Sequence, residues 1–166
     1  ADFPPPLIAY GARVVVRNPS GGNTLPLEEL FRGPGTTSLA PDDLLEAVQL
    51  DAPEERSGAA YIKLGVRQTL EISLVNVAAY LALENKTIRT ARIVLGSVAP
   101  TPMRASSAEK ALIGETPSPA LFAKAAEAAA ADAKPIDDFR ASAAYRRDMV
   151  RALTRRALET ALARVA

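Results

Sequence analysis

Apolar and polar residues alternate over residues 7–18, LIAYGARVVVRN, and the β-branched run within them predicts a strand that ends at the turn-forming cluster Pro19-Ser20-Gly21-Gly22-Asn23. Thr24-Leu25-Pro26-Leu27 reads as a short returning strand. Residues 28–31 hold at most one helical turn, stopped by Arg32-Gly33-Pro34-Gly35. Pro41-Asp42-Asp43 then leads into residues 44–50, LLEAVQL, whose V-Q-L ending favours strand over helix. Residues 51–58 are polar, carry Pro53 and several charges, and mark the best boundary in the chain.

A second unit starts there. Residues 59–66 give one strand and residues 72–83 another, in which Ile72, Leu74, Asn76, Ala78 and Tyr80 share a face opposite Ser73, Val75, Val77, Ala79 and Leu81. The second face is the more continuously apolar, so it is expected on the core and the first in a wetter setting. Glu84-Asn85-Lys86-Thr87 is a turn into residues 88–98, which closes an antiparallel hairpin. Beyond Pro100 and Pro102 the pattern changes to helix. Ser106 or Ser107 is expected to cap a short helix through Leu112, with Gly114 ending it. Ser118-Pro119 opens the alanine-rich PALFAKAAEAAAADA, which stops before Pro135. The last helix, residues 142–164, aligns Tyr145, Met149, Leu153, Ala157, Leu158, Ala161 and Val165 in one stripe. Sheet followed by helices without βαβ alternation predicts an α+β fold, a three-stranded antiparallel sheet packed on a helical bundle over residues 56–166. Residues 1–55 form a strand-rich segment before it.

Composition narrows the chemistry. At 166 residues the chain can bury a core without staples. It contains no cysteine and no histidine, which excludes disulfides, iron–sulfur ligation and thiol nucleophiles and removes the commonest general base and metal ligand. A net charge of +1 gives no overall case for nucleic acid or an anionic membrane. No apolar run approaches a bilayer-spanning length, and the N-terminus lacks a charged region followed by an apolar one, so the default expectation is a soluble, cytoplasmic chain. The opening Ala1-Asp2-Phe3-Pro4-Pro5-Pro6 has no initiator methionine and reads as a fragment of a longer polypeptide.

Taken singly, the polar candidates are modest. Gly33-Pro34-Gly35-Thr36-Thr37-Ser38 lacks the glycine spacing of a nucleotide cradle and is better read as a plain turn. Arg147, Arg151 and Arg155, with Arg146 and Arg156 beside them, are a solvated helix face, because acids are mixed in and no aromatic residues interleave for base stacking. Asp42 and Asp43 are turn or capping residues. Asn76 is a polar residue on the wetter strand face. Lys63, with Gly65 two residues on, is a strand lysine that reaches solvent along its own stem.

Together the residues say more. YIKLGVRQTLEISLVNVAAYLAL, IRTARIVLGSVAPTPMRASSAEKALIGE and PIDDFRASAAYRRDMVRALTRRAL, in that order, resemble the C-terminal domain of the FAD-binding medium subunit of molybdenum hydroxylases, the xanthine dehydrogenase and carbon monoxide dehydrogenase family. FRGPGTTSLAPDDLL resembles the exit from that subunit's flavin-binding domain.

The resemblance implies a carbon monoxide dehydrogenase flavoprotein C-terminal domain-like fold and a flavin subunit without redox groups of its own beyond FAD. It implies three partners: the N-terminal FAD-binding half, a small subunit carrying two 2Fe-2S clusters, and a large molybdopterin subunit. Electrons from the molybdenum centre reach FAD and then an external acceptor. Position by position, the family's flavin contacts fall on Asp2, Leu45 and Lys63: Asp2 against the polar part of FAD, Leu45 against the flavin, and Lys63 as a positive charge near the isoalloxazine. Glu71 stands where the family usually has aspartate, and the glycine-rich segments that cradle the pyrophosphate lie in the N-terminal half. The chain alone is therefore not expected to complete an FAD site. The competing expectation is a subunit-docking module with no cofactor of its own.

Overall fold

The computed structural model describes residues 2–67 and 71–165. In chain order a short helix α1 (Pro4–Ala9) leads to β1 (Arg13–Asn18), β2 (Gly21–Pro26), a single 3-10 turn (Leu27–Leu30), the small hairpin β3 (Phe31–Gly33) and β4 (Thr36–Thr37), and β5 (Leu44–Gln49). Strands β6 (Ser57–Leu64), β7 (Val75–Glu84), β8 (Thr87–Gly96) and the two-residue β9 (Met103–Arg104) follow, and helices α2 (Ser106–Leu112), α3 (Pro119–Asp132) and α4 (Ala143–Ala163) complete the fold. All strand pairs are antiparallel, in the orders β2-β1-β5, β3-β4 and β6-β7-β8-β9.

The predicted α+β class and its three antiparallel strands are present, with β9 added at the edge of β8. The β7–β8 turn has Asn85 and Lys86 at φ 49° and 68°, the positive values that match strand twist in a two-residue hairpin. Ser118 caps α3 by accepting from Leu121 N at 3.2 Å, and Ser142 caps α4 by accepting from Tyr145 N at 3.2 Å.

Four expectations are corrected. Residues 7–18 are not one strand: the prolines at 4–6 enter a helical first turn where no N–H is needed, and Gly11 at φ 75° turns the chain into β1. Neither Ser106 nor Ser107 caps α2. The Ser107 N–H and hydroxyl instead donate to the Asp132 carboxylate at the end of α3, at 2.9 and 2.7 Å.

The third correction concerns the faces of β7. Val75, Val77, Ala79 and Leu81 lie in the core, as predicted, against α4 and in one cluster with residues of α2 and α3. The supposedly wetter face is equally dry, since Ala78, Tyr80 and Ala82 join Ile8, Ala9, Val14, Val16, Leu27 and Leu30 in a second core. Asn76, on that face, is fully buried. Alternation reveals one hydrophobic face, and the cover over the other comes from a segment some sixty residues away. Tyr10 meets Tyr80 edge-on with ring centroids 5.5 Å apart, and Arg92 lies over Tyr80 while donating to Ala9 O at 3.3 Å.

The fourth correction is in α4. Its buried side is Arg146, Val150, Leu153, Thr154, Ala157, Leu158 and Ala161, so Tyr145 faces outward and Arg146 turns in. Arg146 donates to Leu74 O and Ser97 O at 2.7 and 3.0 Å and to Asp138 at 2.8 Å, which ties α4 to both strands at the end of the β7–β8 layer where β7 begins and β8 finishes. Its neighbours stay on the surface: Arg151 pairs with Glu127 and Asp148, and Arg155 with Glu159. At the far end of α4, Gly58 allows β6 to pass the helix terminus, because a Cβ there would sit 2.2 Å from Ala161 O.

Removing Arg146 strands two carbonyls and a carboxylate, so Arg146→Met is expected to cost about 3 kcal/mol, whereas Arg147→Ala changes stability by at most about 0.5 kcal/mol. Chemical denaturation that finds equal losses would contradict this account. Burial pushes the Asp138 carboxyl up, but hydrogen bonds from the Arg140 and Ala141 N–H groups and from Arg146 outweigh it and hold it below its ordinary value of 3.8. A depressed carboxylate stabilises the fold above that ordinary value, and the contribution is lost as pH falls through the lower, folded-state value. Asp138→Asn should therefore flatten the loss of stability below about pH 4, read as urea midpoints across that range; an unchanged slope would assign the loss to other carboxylates.

Candidate functional site

Cross-strand register places Lys63 on β6 directly opposite Asn76 on β7, and Asn76 opposite Gly96 on β8. Residues opposite one another share a face, so all three point toward the N-terminal segment. Helix α1 packs over β7 and β8 and brings Asp2, which precedes it, onto this layer. Lys63 Nζ donates to Asp2 Oδ2 at 2.6 Å and to Glu71 O at 2.9 Å. Ser73 Oγ donates to Asp2 Oδ1 at 2.8 Å and accepts from Asn76 Nδ2 at 3.1 Å. Thus each carboxylate oxygen of Asp2 has its own donor.

The layer is graded from dry to wet. Asn76 and Ser73 are buried, whereas the Lys63 and Asp2 side chains keep 29% and 42% of their accessible surface. The Asn76 side chain occupies the space that a side chain at Gly96 would take, since a Cβ there would lie 2.2 Å from Asn76 Oδ1. The hydrogen bond from Lys63 holds the Asp2 carboxyl below its ordinary range against the opposing effect of burial, with Ser73 adding to it. Tyr61, two residues before Lys63 on the same face, has its hydroxyl pushed up to about 12 by burial and by the negative charge of Asp2. Glu71 closes the loop after β6 by accepting from Val66 N and, at 2.7 Å, from Arg67 N. Its carboxylate lies where a Cβ on Gly65 would be, 2.1 Å from Oε2.

Two of the three predicted contacts, Asp2 and Lys63, therefore meet. Leu45 does not join them: it sits on β5, opposite Val16, in the other sheet and outside both cores. It is 37% exposed, and Val48 on the same strand 42%, although their partners Val16 and Val14 are buried. Asp43 is a turn residue, accepting from Ala40 N at 2.8 Å and Asn18 Nδ2 at 3.0 Å. The Gly33–Gly35 stretch forms the tip of the β3–β4 hairpin. Sequence reasoning missed Ser73 and Tyr61 as site neighbours and placed Asn76 in a wet setting. The β6–β7 register, which sets Asn76 against Lys63, is the signal that finds it.

Chemically the layer offers, among the described residues, an ammonium with two of its three N–H donors engaged, a paired carboxylate, and a serine hydroxyl that is buried and bonded to that carboxylate. Among the described residues no group of three or more acids can hold a metal ion. No helix among them is long and apolar enough to cross a membrane.

Comparison with known proteins places these features. Residues 60–161 match the model of the CO dehydrogenase flavoprotein C-terminal domain, and residues 1–53 match that of the FAD binding domain in molybdopterin dehydrogenase. The carbon monoxide dehydrogenase medium chain of Hydrogenophaga pseudoflava is 32% identical over 165 residues, which are 99% of this chain and 57% of that one. The xanthine dehydrogenase FAD-binding subunit of Escherichia coli O157:H7 is 29% identical over 98% of this chain and 56% of its own length. The solved carbon monoxide dehydrogenase of Hydrogenophaga pseudoflava superposes with a TM-score of 0.94 at 34% identity, over 99% of this chain and 57% of that one. The chain spans just over half the length of the relatives it matches. On the match over residues 60–161, the chain belongs to the CO dehydrogenase flavoprotein C-terminal domain family.

Proposed function

We propose that this chain is the C-terminal part of the flavin subunit of a molybdenum-dependent hydroxylase or dehydrogenase, with residues 1–55 ending its flavin-binding domain and residues 56–166 forming the domain that follows. The observation that carries the reading is the Asp2–Lys63 pair, two residues 61 positions apart joined at 2.6 Å on an accessible seam. An exposed ion pair of this kind contributes only about 0–1 kcal/mol to a fold, so stability is a poor reason for it. The layer suits one side of FAD: Lys63 keeps a positive charge and an N–H beyond the two that Asp2 and Glu71 O accept. When bound, FAD supplies the redox chemistry, relaying to an external acceptor electrons that reach it from a molybdopterin centre through 2Fe-2S clusters on partner subunits in the cytoplasm.

In this reading Lys63 favours a reduced, anionic flavin by simple electrostatics, Asp2 holds the lysine in place, and the N-terminal half completes the enclosure. A second reading, a docking module without a cofactor, draws on the PIDDF turn before α4, where Phe139 is 94% and Ile136 72% exposed. Pull-down of an iron–sulfur subunit in the absence of flavin separates the two, since association that requires FAD disfavours pure docking.

The complete subunit is expected to purify yellow and to release FAD on denaturation; a well-folded complete subunit that stays colourless after FAD is added overturns the reading. Lys63→Met in that subunit should lower the flavin reduction potential, because it removes a positive charge that stabilises the reduced form. Spectroelectrochemical titration tests this, and an unchanged potential would take Lys63 out of the site.

A further inference from the structure

We propose that Ser73 and Asn76 are positioning residues that act through Asp2 to hold the Lys63 ammonium in one place; its link to FAD rests on the function proposed above. The chain of contacts runs inward without a gap: Lys63 Nζ to Asp2 Oδ2 at 2.6 Å, Ser73 Oγ to Asp2 Oδ1 at 2.8 Å, and Asn76 Nδ2 to Ser73 Oγ at 3.1 Å. A serine hydroxyl has one proton. Because Ser73 Oγ accepts from Asn76, that proton is directed at Asp2.

Asn76 is well suited to this task. Its side chain has no access to solvent, and it fills the space left by the absent side chain of Gly96 on the neighbouring strand. Turning its amide over would place an acceptor against Ser73 and invite the hydroxyl proton away from Asp2. In the orientation present, Asn76 Oδ1 is buried without a hydrogen-bond partner among the described residues. An unsatisfied buried acceptor opposes folding, and such a cost is tolerated most often where a site needs a fixed geometry.

The consequence falls on Lys63. A lysine ammonium on a four-carbon stem samples many rotamers, and a ligand that must order it binds more weakly. Asp2 from one side and Glu71 O from the other settle its position in advance and leave one N–H for a ligand. Asp2 alone is a loose anchor, since it precedes α1 and is partly exposed. Ser73 gives its carboxylate a second, buried attachment.

The test uses the complete flavin subunit as unmodified protein, Ser73→Ala, Asp2→Asn and the double variant, with two readouts. The first needs no flavin: brief acetylation followed by mass spectrometry measures Lys63 reactivity against the exposed Lys134. Ser73→Ala should raise the relative reactivity of Lys63 severalfold, and should add nothing once Asp2 is Asn. The second is the FAD dissociation constant of the apo-subunit, expected to rise about three- to tenfold in Ser73→Ala with no further rise in the Asp2→Asn background. Thermal midpoints of all four proteins show whether a change in either readout follows from unfolding. Unchanged Lys63 reactivity in Ser73→Ala, or an effect that persists in full without the Asp2 carboxylate, overturns the positioning role. If unmodified subunit takes up no FAD while Lys63 reactivity responds as expected, the flavin reading fails and the positioning of Lys63 stands.

Discussion

A ten-residue strand with no solvent face governs this structure. Eight of the ten residues of β7 are buried, and the seven apolar ones divide between two separate cores, one shared with the C-terminal helices and one with the N-terminal segment. A strand in that position cannot fold on local preference, because each face needs its own cover before it leaves water. The composition of β7 reflects this. Ala78, Ala79 and Ala82 keep both layers close, while Tyr80 places its ring in the second core and its hydroxyl where it accepts from Glu54 N at 3.0 Å. The N-terminal residues are thus half of the sandwich around β7, and whatever is built at that seam exists only because both parts are present.

Two kinds of charged group occupy the edges of this layer. Arg146 and Glu109 are buried and spend their hydrogen-bonding capacity on the protein itself. Glu109 accepts from Ile93 N and Arg104, linking α2 to β8 and β9, and Arg146 joins α4 to carbonyls flanking β7 and β8 at one end of their layer. Such groups are costly to desolvate and need partners in place: the two terminal nitrogens of Arg146 have theirs, while its Nε is buried with none among the described residues. Lys63 differs in setting: it is partly exposed and, among the described residues, is held by two acceptors with its remaining N–H within reach of solvent. The contrast separates a lysine suited to meeting a ligand from arginines and acids that join elements together.

Much of the second half was legible in the sequence because its signals are local. The Asn85–Lys86 turn, the serine cap of α3 and its alanine-rich character each depend on a few neighbouring residues, and each appears where predicted. What escaped depends on distant residues. The dry second face of β7, the inward turn of Arg146 and the burial of Asn76 follow from cover and acceptors contributed by other segments, which neither a period of 2 nor one of 3.6 can register. The helix at Pro4–Ala9 was hidden for another reason: prolines read as extended chain unless the first-turn exception is recognised. Asp2 and Lys63 were named by family resemblance alone. Their meeting at 2.6 Å could not be read from residues 61 positions apart.

That meeting also changes how the lysine acts at a distance. A lone ammonium projects a potential that falls as the first power of separation, but an ammonium paired with a carboxylate projects approximately the field of a dipole, which falls faster and changes sign with direction. For a charge-bearing group resting over Lys63, the orientation of the pair then matters as much as its presence. A small rotation of Asp2 turns its negative end toward or away from that group, with no change in net charge. This gives a physical reason for a partly exposed ion pair to be anchored from within by buried hydroxyl and amide groups. An exposed pair free to reorient presents an average field close to zero, and one held by Ser73 and Asn76 presents a defined one.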